Sequence, residues 1–342
     1  MAQSVEIAGP DTDFSKSLAR SFQSGRINFL IGSGASLPAI PIAGAIEQEI
    51  ALLYKAGDAI EARKRLYNFL HGIHEPTNKL IAEASDAAID QTVANFRSYL
   101  GNIDRILSSR RTALLPKQAT IFSTNYDLFV EKASIALPTL TLNDGFSRVP
   151  SLDNRMRFSP RNFFNSVYNT GNVYNYRVEI PSVNLIKLHG SLSWARDKEE
   201  LLYRVASRVL LTSTSEDSDV QAFLDDHSII LPQVTKFQTT VIESNYYELL
   251  RIYANELDRE NALLVAFGFS FGDEHILAIT RRALKNPTLR LLVFAYNESA
   301  RDGYLHLFEG HHNVEVIAPS SGGTITFNDF NAALGSFLPK LN

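Results

Sequence analysis

The sequence predicts an α/β fold, a mainly parallel sheet covered by helices on both faces, and three observations predict it. Short apolar runs rich in β-formers recur along the chain and alternate with stretches of helical period. The first run, residues 27–31, breaks at once into Gly32-Ser33-Gly34-Ala35-Ser36 and then into a helical stretch. Polar residues also recur just past the ends of the other apolar runs, at Asn125, His189, Ser270 and Asn297. Open α/β sheets bind ligands at such strand ends.

Phe14, Leu18 and Phe22 step by four and predict a helix leading into the first strand. The glycines that follow that strand let backbone N–H groups approach phosphate oxygens, and the next helix adds partial positive charge. Leu37 stands where the dinucleotide fingerprint needs a third glycine, and Glu47 and Glu49 fall on a helix rather than at a strand end. Both points disfavour an ordinary dehydrogenase. A helix is expected over 45–54. Asp58 is placed to cap another through Leu70, and a third starts near Ser85-Asp86 with Ile89, Val93, Phe96, Leu100, Ile103 and Leu107 on one face. Residues 58–115 thus read as an all-helical insertion in a domain made of 1–57 and 116–342.

Residues 119–123 read as the second strand, ending in Thr124-Asn125-Tyr126-Asp127, with a helix after it. Residues 143–177 lack a clear period and read as a long structured loop or a small irregular subdomain. Residues 184–188 form a strand ending in His189-Gly190-Ser191, and 194–233 are mixed, with 212–219 a surface loop. A helix is expected over 245–258. The strand 262–267 ends in Gly268-Phe269-Ser270-Phe271-Gly272, and Asp273 can cap a helix through Leu284. Strands over 289–295, ending in Tyr296-Asn297, and 314–317 complete the sheet.

Composition narrows the function. The 342 residues carry a formal net charge of −4 with charges interspersed and no basic stripe, which argues against nucleic-acid binding. With no cysteine there is no thiol catalysis and no cysteine-ligated zinc. The N-terminal stretch lacks the pattern of a signal peptide and no apolar run reaches membrane-span length, so a cytoplasmic protein is expected.

His189 is the best candidate base, because an imidazole titrates near neutrality and Gly190 beside it leaves room for a ligand. Asn125 offers a donor and an acceptor with which to hold a water or a ribose hydroxyl, or it merely forms the turn. Asp127 either caps the next helix or orients Asn125 or the sugar. A rival lies in Gly268–Gly272, which spells the Gly-x-Ser-x-Gly of a nucleophile elbow, with Asp302 and His306 following in hydrolase order. Against it, Asp302 and His306 fall in one helix. His71 with His74, and His311 with His312, lack the carboxylate spacing of a metal site, so no metal is expected, and His275 reads as structural.

Taken in order, Gly32-Ser33-Gly34-Ala35-Ser36, Thr124-Asn125-Tyr126-Asp127, Lys187-Leu188-His189-Gly190 and Gly268-Phe269-Ser270 resemble the sirtuin-like superfamily. More closely they resemble the bacterial sirtuin-like NAD hydrolases of antiphage defence, including those paired with a HerA-type ATPase. The resemblance implies a Rossmann-like sheet of sirtuin type with NAD, as substrate, lying across the strand ends. Residues Gly32, Ser33, Gly34, Ala35 and Ser36 would cradle the pyrophosphate. Gly268 and Ser270 would contact phosphate or ribose, and Asn297 the adenine ribose. Asn125 would position water or the nicotinamide ribose, and His189 would be the base. Protein-deacylating sirtuins carry a four-cysteine zinc module and an Asp-Phe-Arg segment; this chain has neither. The resemblance therefore implies cleavage of the nicotinamide–ribose bond by water, no zinc, a homo-oligomer and an ATPase partner. An NAD-sensing module without turnover is the non-enzymatic alternative.

Overall fold

The computed structural model describes residues 2–6, 13–42, 46–110, 115–149, 152–170, 177–197, 200–205, 217–229 and 240–336. The chain begins with β1 (Gln3–Glu6), α1 (Asp13–Ser24) and β2 (Arg26–Ile31). A 3₁₀ turn (Ser33–Ser36) leads to α2 (Ile46–Lys55), α3 (Ala59–Ile81) and α4 (Ala87–Ser108). Then come β3 (Gln118–Ser123), α5 (Phe129–Ser134), β4 (Thr141–Asn143) and a two-residue ribbon of β5 (Tyr168–Asn169) and β6 (Val178–Glu179). Next are β7 (Ser182–Lys187), β8 (Gly190–Asp197), β9 (Glu200–Tyr203), α6 (Asp217–Asp226) and β10 (His227–Ile229). The chain closes with α7 (Thr240–Leu257), β11 (Ala262–Phe267), α8 (Glu274–Ala283), β12 (Arg290–Phe294), α9 (Glu298–Leu307), β13 (Val314–Ala318) and α10 (Phe327–Ser336).

Eight strands form one sheet in the order β1-β13-β12-β11-β2-β3-β7-β4, and every pairing is parallel. The predicted α/β class holds, and the near-continuous apolar strands have the physical reason expected: both faces are covered. Phe29 and Ile31 of β2 enter one core, while Leu30 between them enters the other. This is the two-residue alternation of a strand with helices on each side. The strand order reverses between β2 and β11, which puts the topological switch point there.

Several elements differ from expectation. The sequence gives no sign of β1, a short and mostly exposed edge strand. Asp58 caps α3 through the Glu61 N–H as expected, but α3 continues past Leu70 and through Pro76 to Ile81. Residues 59–81 and 87–108 are helical, as expected of that stretch, and α4 packs on the sheet. It buries Phe96, Tyr99, Leu100 and Ile103, and the Tyr99 ring meets Phe29 edge-on at 5.3 Å. Asn102 and Asn331 tie it further to α10. An amphipathic stripe covers whatever apolar surface lies beside it, and here that surface is the sheet. The stretch 143–177, expected as a long structured loop or small irregular subdomain, holds a 3₁₀ turn, Pro160–Phe164, and β5, whose partner β6 begins just past it at Val178. Of the expected surface loop 212–219, residues 212–216 lie outside the described residues, and α6 begins at Asp217. Among the described residues no helix is long and apolar enough to cross a membrane.

Candidate functional site at the strand ends

Register lines up several of the predicted residues along one edge of the sheet. Phe294, Phe267, Ile31, Ser123 and Lys187 lie side by side across β12, β11, β2, β3 and β7. Gly268, Gly32, Asn125 and His189 follow them within two residues, so all four stand along one edge. Four strand spacings separate the outermost strands of this row, on the order of 20 Å.

At the switch point the turns after β2 and β11 touch backbone to backbone. The Gly32 N–H donates to the Phe267 carbonyl at 3.1 Å, and the Gly34 N–H to the Gly268 carbonyl at 3.0 Å. A Cβ on Gly32 would lie 2.4 Å from the Gly268 oxygen, and one on Gly34 2.8 Å from the Gly268 Cα. Gly268 itself has φ +65°, where a side chain is strained. The glycines thus serve first to let two strand ends meet, and the N–H groups of Gly32 and Gly34 are spent on that contact.

Asn125 stands at the centre of a buried polar network. Its Nδ2 donates to the Gly32 carbonyl at 3.0 Å and to Ser36 Oγ at 2.9 Å. Ser36 Oγ in turn donates to Asp127 Oδ2 at 2.6 Å, and Asp127 Oδ1 accepts the Phe129 N–H at the start of α5. Both amide hydrogens of Asn125 are committed, so the carboxamide cannot rotate freely and Oδ1 is its remaining acceptor. No hydrogen bond to Oδ1 occurs among the described residues. Asp127 is thus linked to Asn125 through Ser36, while the N-cap position of α5 is Leu128 and Asp127 reaches the helix start from one residue before it.

His189 occupies the corner where the chain leaves the parallel sheet after β7 and enters the antiparallel sheet β10-β8-β9. Its Nε2 lies 3.1 Å from Asp273 Oδ2, both side chains being buried. Asp273 Oδ1 accepts the Ile276 N–H at 2.9 Å and so caps α8, as the sequence predicted. The contact with His189 was not predicted; its only signal was an acid at the close of a strand-end turn. Burial pushes the Asp273 carboxyl up. The His189 hydrogen bond and charge, the Ile276 N–H and nearby His275 outweigh this and hold it below its ordinary value. With Nε2–H donated to Asp273, a neutral imidazole carries its lone pair on Nδ1, the tautomer a base needs. Tyr126 lies beside it, ring centroids 6.3 Å apart. Tyr246 of α7 is near enough to Asp273 for its hydroxyl, already pushed up by burial, to be raised further by that charge. Gly190 leaves room as expected, but the protein fills it. Its φ is +84°, and a Cβ there would lie 2.1 Å from the Ser228 carbonyl of β10.

Behind Asn125, Lys187 is buried at 2 % exposure. Its Nζ donates to the carbonyls of Asn125, at 3.2 Å, and Asp127, and lies 3.6 Å from Glu131 Oε1. Burial raises the Glu131 carboxyl to about 7 even though the Lys187 charge opposes this, and Glu131 Oε2 makes no hydrogen bond among the described residues. Asp144, paired with Arg148, is pushed up by burial as well. The sequence offered only the lysine closing an apolar strand.

The remaining expected contacts are looser. Ser270 is exposed, and Gly272 N–H approaches its Oγ at 3.4 Å. Asp302 pairs with Arg301, and His306, 90 % exposed, sits 3.9 Å from Glu309; neither bonds Ser270. Both lie on α9, so the elbow sequence has no triad behind it. Asn297 caps α9 through the Ala300 N–H at 2.9 Å. His74 is buried against Phe223 and His227, and His71 faces Glu75. Among the described residues no group of three His, Asp or Glu side chains is gathered for a metal.

A family model described as a SIR2-like domain matches residues 119–317. The match takes in Asn125, Asp127, Lys187, His189 and Asp273 and leaves out β2 and its glycine turn. No curated protein matches the chain.

Proposed function

The chain belongs to the SIR2-like domain family, and from that premise we propose that it is an NAD hydrolase cleaving the nicotinamide–ribose bond to nicotinamide and ADP-ribose. Family membership is consistent with an NAD-dependent activity. The observation that carries the finer reading is the placement of two unlike groups past adjacent strand ends. Asn125 keeps one acceptor oxygen, and His189 is held by a buried carboxylate in the tautomer of a base. Breaking the glycosidic bond leaves positive charge on the ribose. An amide oxygen that holds the attacking water, and an imidazole that takes its proton, suit that reaction. The proton goes to His189 Nδ1, and Asp273 stabilises the imidazolium formed. The absence of any cysteine favours water over a protein-bound acyl group as the acceptor.

Incubation of the full chain with NAD, followed by chromatography, should yield nicotinamide and ADP-ribose. His189→Ala should reduce turnover by about 10²–10⁴-fold and Asn125→Ala by a comparable factor, with the fold retained. A folded His189→Ala protein with full activity removes the assigned base. Binding of NAD without turnover, alone and with a partner, favours the sensing module.

A hydrolase of this kind, acting in the cytoplasm against phage, must be restrained in uninfected cells. A homo-oligomer and a HerA-type ATPase partner form part of the proposal on that ground. Mass photometry that finds a monomer with full constitutive turnover overturns this part.

A further inference from the structure

We propose that Lys187 is the positioning residue of the site: its buried ammonium pins the 124–128 turn by two peptide carbonyls and thereby fixes where Asn125 presents its oxygen. The inference rests on the role given to Asn125 above.

A lysine almost never goes fully inside a protein without partners, because an ammonium loses its hydration there. Lys187 ends β7, and its partners are unusual in kind. Its hydrogen-bonded contacts are the carbonyl oxygens of Asn125 and Asp127, which flank Tyr126. The carboxylate, Glu131 Oε1, stands further off at 3.6 Å. A lysine kept to neutralise Glu131 would close on it at about 2.8 Å. Here the donors are aimed at the turn instead. Asn125 is then tethered from every side but one: carbonyl to Lys187, N–H to Ser123 Oγ at 3.1 Å, and Nδ2 to Gly32 and Ser36. The atom left over is Oδ1. A misplacement of about 1 Å in such a group costs on the order of 10²-fold in rate. A buried ammonium at the end of a sheet strand is a stiff anchor against that drift. His189 follows Lys187 by two residues, so the anchor of the turn and the proposed base leave the same strand end.

The test compares Lys187→Met, Lys187→Gln and Glu131→Gln in the full chain. Lys187→Met should lower kcat by about 10–100-fold with KM changed less than about threefold. Lys187→Gln, whose amide can still donate to a carbonyl, should recover part of the loss. Glu131→Gln, which leaves the ammonium in place, should keep kcat within about threefold. Hydrogen exchange provides a readout without turnover: the 124–128 segment should exchange faster in Lys187→Met while α8 stays protected. If Lys187→Met does not fold, Lys187→Gln carries the same comparison. Wild-type kcat in a folded Lys187→Met protein overturns the proposal, as does a Glu131→Gln loss equal to that of Lys187→Met. If the wild-type chain does not cleave NAD but the variant still loosens 124–128, the hydrolase reading falls and the pin stands. If the wild type cleaves NAD and the variant neither loosens nor slows, the pin falls.

Discussion

Two buried charge pairs sit two residues apart at the end of β7, and they are built in opposite ways. His189 meets Asp273 at 3.1 Å, and that carboxylate has its other oxygen on the first turn of α8. Lys187 stands 3.6 Å from Glu131, whose Oε2 has no partner among the described residues. Burial penalises both carboxylates. In Asp273 hydrogen bonds and neighbouring charges win, and the carboxyl is held down; in Glu131 burial wins, and it is pushed to about 7. The lesson is that a neighbouring cation does not by itself keep a buried acid ionised; the donors on both oxygens decide. The acid held down is therefore the one against the histidine proposed as base, and the weakly held acid stands beside the lysine proposed to pin the turn.

The sharpest way to break this comparison is Asp273→Asn. The amide can hold the imidazole in the wrong tautomer, and kcat should fall by about 10²-fold or more while NAD binding persists. A variant with wild-type kcat would reduce Asp273 to a helix cap.

The next effect is on stability and has opposite signs at the two pairs. Glu131 has its ordinary value of 4.5 raised to about 7 by folding. Between those values the folded chain holds a proton that the unfolded chain has released, so this group's contribution to stability declines as pH rises through that window. The full shift corresponds to about 3 kcal/mol, and Glu131→Gln should flatten the decline in denaturant titrations between pH 4.5 and 7. Asp273 is lowered from 3.8, so its contribution is present above that value and is lost as pH falls through the lower folded value. Asp273→Asn should remove that acid-side loss alone. Identical pH profiles for the two variants would show that the pairs are not opposites.

A smaller effect is expected at Ser36→Ala. It removes the link between Asn125 and Asp127 and leaves the Asn125 bond to the Gly32 carbonyl. One hydrogen bond of this sort is worth about 1 kcal/mol, so a drop in kcat of about five- to tenfold is expected, with both charge pairs untouched. An unchanged rate would place the whole orientation of Asn125 on Lys187 and Gly32.

How the sequence anticipated these pairs is uneven. Apolar runs with polar residues at their ends gave the sheet and brought Asn125 and His189 into one row, because register in a parallel sheet carries strand ends into line. The partners stayed hidden because they come from distant segments: Asp273 lies 84 residues from His189 and Ser36 lies 91 from Asp127. Local reading could see Asp273 only as a cap, since capping is decided within four residues. Helix α4 is legible only in part for a related reason. Its apolar stripe shows that it packs, but not on what.

The meeting of Gly32, Gly34 and Gly268 has a consequence for how this chain can vary. A single methyl on any of the three would force β2 and β11 to part, since the gap offers 2.4–2.8 Å where ordinary contact needs 3.4 Å or more. Those strands bear the two halves of the sheet, so the disturbance would spread to both halves at once. Ser270, two positions further and open to solvent, has no such restraint. Drift in specificity has a free path along the rim and a closed door at the hinge of the two halves.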